Sequence, residues 1–241
     1  MPLHRRPAVD VATGAERDVS AVAGALIVID VQHDFCHADG VLGRHLDAGT
    51  VDAMCASIET LQAAAHRCGV PVVFVQTVHR AATDSRAWRN RFPSQELMVC
   101  REGAWGVEFH RCGPRDGDVV VVKHRYSAFH GTELQHVLHT VGCHTVVLTG
   151  TATNVCVEST ARDACMLDYD VVVVEDATCA GTDEEHAAAL FNIREYFGSV
   201  ADTAAVLSAW RASATLSSLR AARSGERMRA GWQSEFHRER R

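Results

Sequence analysis

Three residues in this sequence have the types that acyl-transfer chemistry needs, and each closes or follows an apolar run. Asp30 ends ALIVID, Lys123 ends VVVVK, and Cys156 follows TVVLTG within TGTATNVCVESTARDA. A carboxylate takes and returns a proton. A thiol attacks a carbonyl carbon. An ammonium beside both favours their charged forms. Composition marks the ammonium out, because the 24 Lys+Arg residues are 23 Arg and the single Lys123. Arg is a flat, permanently charged fork, whereas Lys is a compact ammonium. A chain that uses Arg elsewhere retains Lys123 for something Arg does not do. Each position also has a plain structural reading: Cys156 as a small core residue, Asp30 as a cap for Val31–Phe35, Lys123 as a cation reaching for solvent.

Cys156 stands just after a strand and at the start of a helical pattern. A helix N-terminus offers free N–H groups and partial positive charge. Both stabilise a thiolate, whose pKa can fall well below the free value of about 8.5. The same N–H groups suit an oxyanion.

The elements that must position these residues alternate. Ala25–Asp30, Val72–Thr77, Val119–Lys123, Thr145–Gly150 and Val171–Glu175 are β-branched runs of strand length, with a short sixth at Gly198–Asp202. Nearly continuous apolar strands are buried on both faces. Helical patterns fall between them at 51–68, 132–141, 155–168 and 183–197, and another starts at Thr203. The expected fold is therefore α/β, a doubly wound parallel sheet of about six strands with helices on both faces. Ligands of such sheets sit at the carboxyl ends of the strands, where Asp30, Thr77, His79, Lys123 and the Gly150–Cys156 turn fall. Val78–Gly117 has no clear period, and a loop of that length is expected to be a lid or pocket wall.

With 241 residues, 47% hydrophobic, 22% charged and net charge -6, the chain is neither a disordered tract nor a basic nucleic-acid module. No apolar run approaches the roughly 18 residues of a membrane span, and Met1–Gly24 has no apolar stretch of signal-peptide type. Nine cysteines without CxxC spacing point to a reducing, cytoplasmic setting. No zinc spacing appears among the 14 His, and His136 and His139 read as surface residues. From Arg211 to Arg241, eight Arg face three Glu, a net +5 that leaves -6 - 5 = -11 on residues 1–210. With only Trp232 and Phe236 as aromatics there, docking or solvation of this tail is expected rather than nucleic-acid binding.

ALIVIDVQHDF, VVVVKHRYSAF and LTGTATNVCVESTARDA together resemble the three signature segments of the isochorismatase-like cysteine hydrolases, in the family's order and over roughly residues 21–210. With its continuation DYDVVVVEDATCAGTDEEHAAALFNIREYFG, the last segment is most similar to the ureidoacrylate and biuret amidohydrolase branch, with N-carbamoylsarcosine amidase a further relative. The resemblance implies a Rossmann-like three-layer sandwich and an Asp–Lys–Cys triad of Asp30, Lys123 and Cys156. It also implies a cis peptide at Thr151-Ala152 and an oxyanion hole from the N–H groups of Ala152 and Cys156. It further implies hydrolysis of a small linear amide, ureido or carbamoyl compound through a thioester, with water as co-substrate, no cofactor, and assembly as a homodimer or homotetramer. Nicotinamidases of this fold bind a metal through Asp-x-His after the second strand; Thr77-Val78-His79 lacks that carboxylate, so no metal is expected. The ureidoacrylate branch carries Asn and Trp in that region, another point of departure. Candidate substrate contacts are Phe35, His79, Trp105, Tyr126, Asn192 and Tyr196. The division expected is an extension over 1–20, a domain over 21–210 and the Arg-rich tail over 211–241. Rival readings are a nicotinamidase-type amidase and a non-catalytic thiol sensor or ligand-binding module on the same sheet.

Overall fold

The computed structural model describes residues 24–90 and 99–215. The extension over 1–20 and most of the Arg-rich tail lie outside the described residues.

The β-branched runs form six strands: β1 (Ala25–Ile29), β2 (Val72–Thr77), β3 (Val119–Lys123), β4 (Thr145–Thr151), β5 (Asp170–Cys179) and β6 (Ser199–Ala201). All pair in parallel, in the order β3-β2-β1-β4-β5-β6. Chain progression reverses between β1 and β4, so a crevice opens at their carboxyl ends. Asp30 and the turn carrying Cys156 leave the sheet on either side of it.

Side chains alternate between two cores, as a period of two requires. Leu26, Val28, Phe74 and Val147 face one layer with α2 (Ala48–Cys68) and the helical run over 203–215, which contributes Val206 and Trp210. Ala25, Ile27, Ile29, Val73 and Val121 face the other, with α4 (Leu134–Thr140), α5 (Glu158–Met166) and α6 (Asp183–Asn192). Two short helices, α1 (His33–Cys36) and α3 (Arg86–Asn90), lie on the crevice side. The long α2 is capped at both ends: Asp47 accepts from Thr50 N–H at 2.8 Å, and Gly69 takes the left-handed conformation at φ 69°.

Several boundaries differ from those expected. β5 extends to Cys179 because, past a register shift opposite Leu148/Gly150, Thr178 and Cys179 pair again with β4. The pattern over 155–168 resolves into a π-helical turn at Thr153–Val157 followed by α5, and that over 183–197 into α6 and a π-helical turn at Ile193–Phe197. Within Val78–Gly117 the described parts hold α3 and a 3-10 turn at Trp105–Val107. Bridges from His79 to Arg101 and from Gln32 to Phe109 tie this segment to the sheet's rim.

Candidate active site

Asp30, Lys123 and Cys156 arrive from β1, β3 and the turn after β4, and they meet. Lys123 Nζ lies 2.7 Å from Asp30 Oδ2. It donates to Cys156 Sγ at 3.4 Å and to the Arg125 carbonyl at 3.0 Å. An ammonium has three N–H donors in tetrahedral array; here two donate to Cys156 and the Arg125 carbonyl, and the charge faces Asp30 Oδ2. A planar guanidinium cannot match that arrangement from the same backbone position, which gives the lone Lys its physical reason. The exposures of Asp30, Lys123 and Cys156 are 0%, 1% and 6%.

Asp30 is held by more than its charge. Its backbone takes φ 55°, a left-handed conformation that Asp tolerates better than most residues. Thr77 Oγ1 donates to Asp30 Oδ1 at 2.8 Å. Thr77 itself is fixed by Gln32, whose Oε1 accepts from Thr77 N–H and whose Nε2 donates to the Thr77 carbonyl. Asp30 Oδ2 faces the ammonium but makes no directed hydrogen bond among the described residues, so it keeps an acceptor position. Beside it, Gly150 has φ 105°, and a Cβ there would lie 2.0 Å from the Ile29 carbonyl oxygen. Only glycine lets β4 come this close to β1 at the crevice.

The thiol behaves differently from the expectation of a helix-lowered value. Burial pushes Cys156 up to about 12; the Asp30 carboxylate adds to the rise, and Lys123 opposes it. Burial and a neighbouring anion outweigh the cation. This favours the protonated thiol, which then needs a base to become a nucleophile. For Lys123, burial alone would lower the pKa, but Asp30 and Cys156 reverse this and raise it, so the ammonium persists. The Thr151-Ala152 peptide is cis. Beyond it the chain enters the π-helical turn, where the N–H groups of Val155 and Val157 donate to the Ala152 carbonyl.

A cavity of about 770 Å³ opens over the thiol, bounded among the described residues by Phe35, His79, Trp88, Arg125, Tyr126 and Ala152 with others. Trp88 organises one wall: His79 and Tyr126 each lie 5.3 Å from it by ring centre, and the Arg125 guanidinium sits 4.8 Å above its face. Burial pushes His79 down to about 4; Asp84 opposes this, while Lys123, Arg101 and Arg125 add to it. It is a neutral ring near pH 7. Asp84 beside it receives Arg101 Nη1 at 2.5 Å.

Of the substrate contacts expected from the sequence, Phe35, His79 and Tyr126 line this cavity. The other three are placed elsewhere. Trp105 stacks on His33 at 4.4 Å and is 45% exposed. Asn192 donates to Glu158 Oε1 at 3.2 Å, bracing α6 on α5. Tyr196 is 68% exposed on the π-helical turn after α6. The residues missed are Trp88, Asp84, Arg101 and Arg125, all but the last from the aperiodic segment; Arg125 was within reach, since it follows Lys123 by two positions.

Residues 24–205 match the isochorismatase domain family. A ureidoacrylate amidohydrolase RutB from Methylobacterium radiotolerans is 37% identical over 201 residues, covering 76% of this chain and 78% of that protein. Among solved structures, a cysteine hydrolase from Pseudomonas syringae pv. phaseolicola superposes with TM-score 0.74 at 28% identity, covering 83% of this chain and 96% of that one. An N-carbamoylsarcosine amidase from Thermoplasma acidophilum gives TM-score 0.62 at 30% identity, with 75% and 96% covered.

Proposed function

The chain belongs to the isochorismatase family, and from that premise we propose that it is a cysteine amidohydrolase acting on a small linear ureido or carbamoyl amide, with ureidoacrylate the leading candidate. The observation that carries this reading is the buried contact of one ammonium with both a carboxylate and a cysteine sulfur.

In the proposed mechanism Asp30 takes the Cys156 proton as sulfur attacks the carbonyl carbon. Coupling deprotonation to attack suits a thiol that burial holds neutral. Lys123 balances the charge that passes between carboxylate and sulfur, and positions both. The oxyanion of the tetrahedral intermediate is received by the N–H groups of Ala152 and Cys156. Asp30 then returns the proton to the departing ammonia or amine and activates the water that hydrolyses the thioester. Phe35, His79, Trp88 and Tyr126 shape the substrate's place, and neutral His79 offers hydrogen bonding without adding charge. No cofactor enters this scheme. Thr77, at the position where the metal-binding relatives carry a carboxylate, is engaged with Asp30.

The same reading takes residues 21–210 as the catalytic domain, the cytoplasm as its location and a homodimer or homotetramer as its assembly. No helix among the described residues is long and apolar enough to cross a membrane, and all nine cysteines are unpaired thiols. Light scattering tests the assembly. The activity is tested by ammonia release from a panel containing ureidoacrylate, biuret, N-carbamoyl amino acids and nicotinamide. Release from a ureido or carbamoyl member supports the reading, and release from nicotinamide alone replaces it with the nicotinamidase alternative.

A further inference from the structure

Nine cysteines are far more than one nucleophile requires, and four of them, Cys36, Cys55, Cys112 and Cys179, are buried in a single core cluster. Two have a defined mutual geometry. Asp52, Cys55, Gln62 and His66 succeed one another along one face of α2 at helical spacing. The segment 111–118 is laid along that face. Arg111 Nη1 pairs with Asp52, Gln62 Nε2 donates to the Gly113 carbonyl at 3.1 Å and to Asp118 Oδ2 at 2.8 Å, and His66 Nε2 lies 2.6 Å from Asp118 Oδ1. Cys112, between two pinned neighbours, is thereby laid against the Cys55 face of α2, and both thiols are buried in the same cluster.

We propose that Cys55 and Cys112 are a dithiol pair oxidised by hydrogen peroxide to a reversible disulfide that ties α2 to the segment rooting the cavity wall. The two sulfurs are unequal, as a reactive and a resolving thiol should be. Hydrogen bonding from Cys112 lowers the Cys55 pKa, burial opposes, and the Arg111 guanidinium assists. Cys112 is raised in turn by that bond and by burial. Burial also raises Cys36 and Cys179, so neither neighbour competes as a thiolate.

The chemistry balances with peroxide as the only co-reactant. The Cys55 thiolate attacks one peroxide oxygen and the O–O bond breaks, giving a Cys55 sulfenic acid; the departing hydroxide takes up the proton that Cys55 gave up, as water. The Cys112 sulfur then attacks the Cys55 sulfur, the S–O bond breaks, and hydroxide leaves with the Cys112 proton as a second water. Two thiols are oxidised and one peroxide is reduced. A small neutral oxidant suits a pair that is 0% and 3% exposed. The crosslink joins Val99 and Arg101 of the cavity wall, through their own segment, to the helix behind the sheet.

The experiment uses the full chain treated with hydrogen peroxide, blocked with an alkylating reagent after denaturation, digested and mapped by mass. The expected product is a Cys55–Cys112-linked peptide, lost on reduction with dithiothreitol, in a protein whose thermal midpoint has risen. In Cys112→Ser the linked peptide is absent and Cys55 is trapped as a sulfenic acid by dimedone; should that variant not fold, the mapping of the unaltered chain decides. Recovery of both residues as alkylated thiols, a disulfide joining either to Cys36 or Cys179, or oxidation confined to Cys156 overturns the proposal. None of these results depends on which substrate the amidohydrolase site takes.

Discussion

Lys123 and Asp30 form an ion pair at 2.7 Å in which neither side chain is more than 1% exposed. A buried pair is a weak source of net stability, but removing one partner leaves the other charge stranded, at about 3–5 kcal/mol. The arrangement is therefore kept for its geometry, with the ammonium fixed between the carboxylate and the Cys156 sulfur.

Lys123→Arg tests that geometry. The guanidinium keeps the charge but is bulkier than the ammonium at a buried position, where overpacking costs about 1–3 kcal/mol, and its planar donors cannot reach Asp30, Cys156 and the Arg125 carbonyl together. The expected result is a folded protein with kcat/KM reduced by about a hundredfold or more, consistent with the 10²–10⁴-fold contribution typical of positioned proton transfer. Steady-state kinetics beside a thermal melt check it.

Thr77→Val removes the hydroxyl that donates to Asp30 Oδ1 while keeping the side chain's shape. A hydrogen bond to a charged group is worth about 1.5–3 kcal/mol, so kcat should fall by about ten- to a hundredfold with KM nearly unchanged. A matching loss in Thr77→Ser, which retains the hydroxyl, would mean that packing rather than the hydrogen bond is at work.

Trp88→Ala removes the ring that His79, Tyr126 and Arg125 pack on. Ring pairs are worth about 0.5–1.5 kcal/mol each. The variant should raise KM by roughly three- to tenfold per lost pair and leave ammonia release at saturating substrate much less affected. Initial rates over a wide substrate range separate the two parameters.

Stability should depend on pH through His79. Its native pKa is pushed down to about 4 from 6.5. Between those values the unfolded chain binds the proton and the native protein does not, so stability rises with pH across that window and is lost as pH falls through it. His79→Gln should flatten the urea midpoint between pH 6.5 and about 4. Cys156 acts at the other end: its value is raised to about 12 from 9.0, so its contribution is present below 9.0 and is lost as pH climbs toward 12. Cys156→Ser should soften that alkaline loss.

The parts of this molecule legible in the sequence are those where one physical requirement dominates. A strand buried on both faces must be apolar throughout, so VVVVK and TVVLTG could be placed, and with them the residues at their ends. The cavity wall follows no such rule. Trp88 and Trp105 lie in the same aperiodic segment, each after an alanine, yet one packs under Arg125 at the cavity and the other stacks on His33. What separates them is how the segment returns to the sheet, through the His79–Arg101 and Gln32–Phe109 bridges, and those are tertiary contacts. The thiol's pKa departs from the sequence expectation for a related reason. A helix start is visible in sequence, whereas burial beside an anion is not.

In the proposed mechanism Cys156 attacks the substrate carbonyl with Asp30 and Lys123 in attendance. The most direct measurement is ammonia release from the best ureido or carbamoyl substrate, run with the unaltered chain and with Cys156→Ala, together with acid-quenched mass analysis of the Cys156 peptide. The expected result is an acylated Cys156 peptide in the unaltered chain during turnover, and no release above the enzyme-free blank from a Cys156→Ala protein that melts as a folded domain. Undiminished release from Cys156→Ala would contradict it.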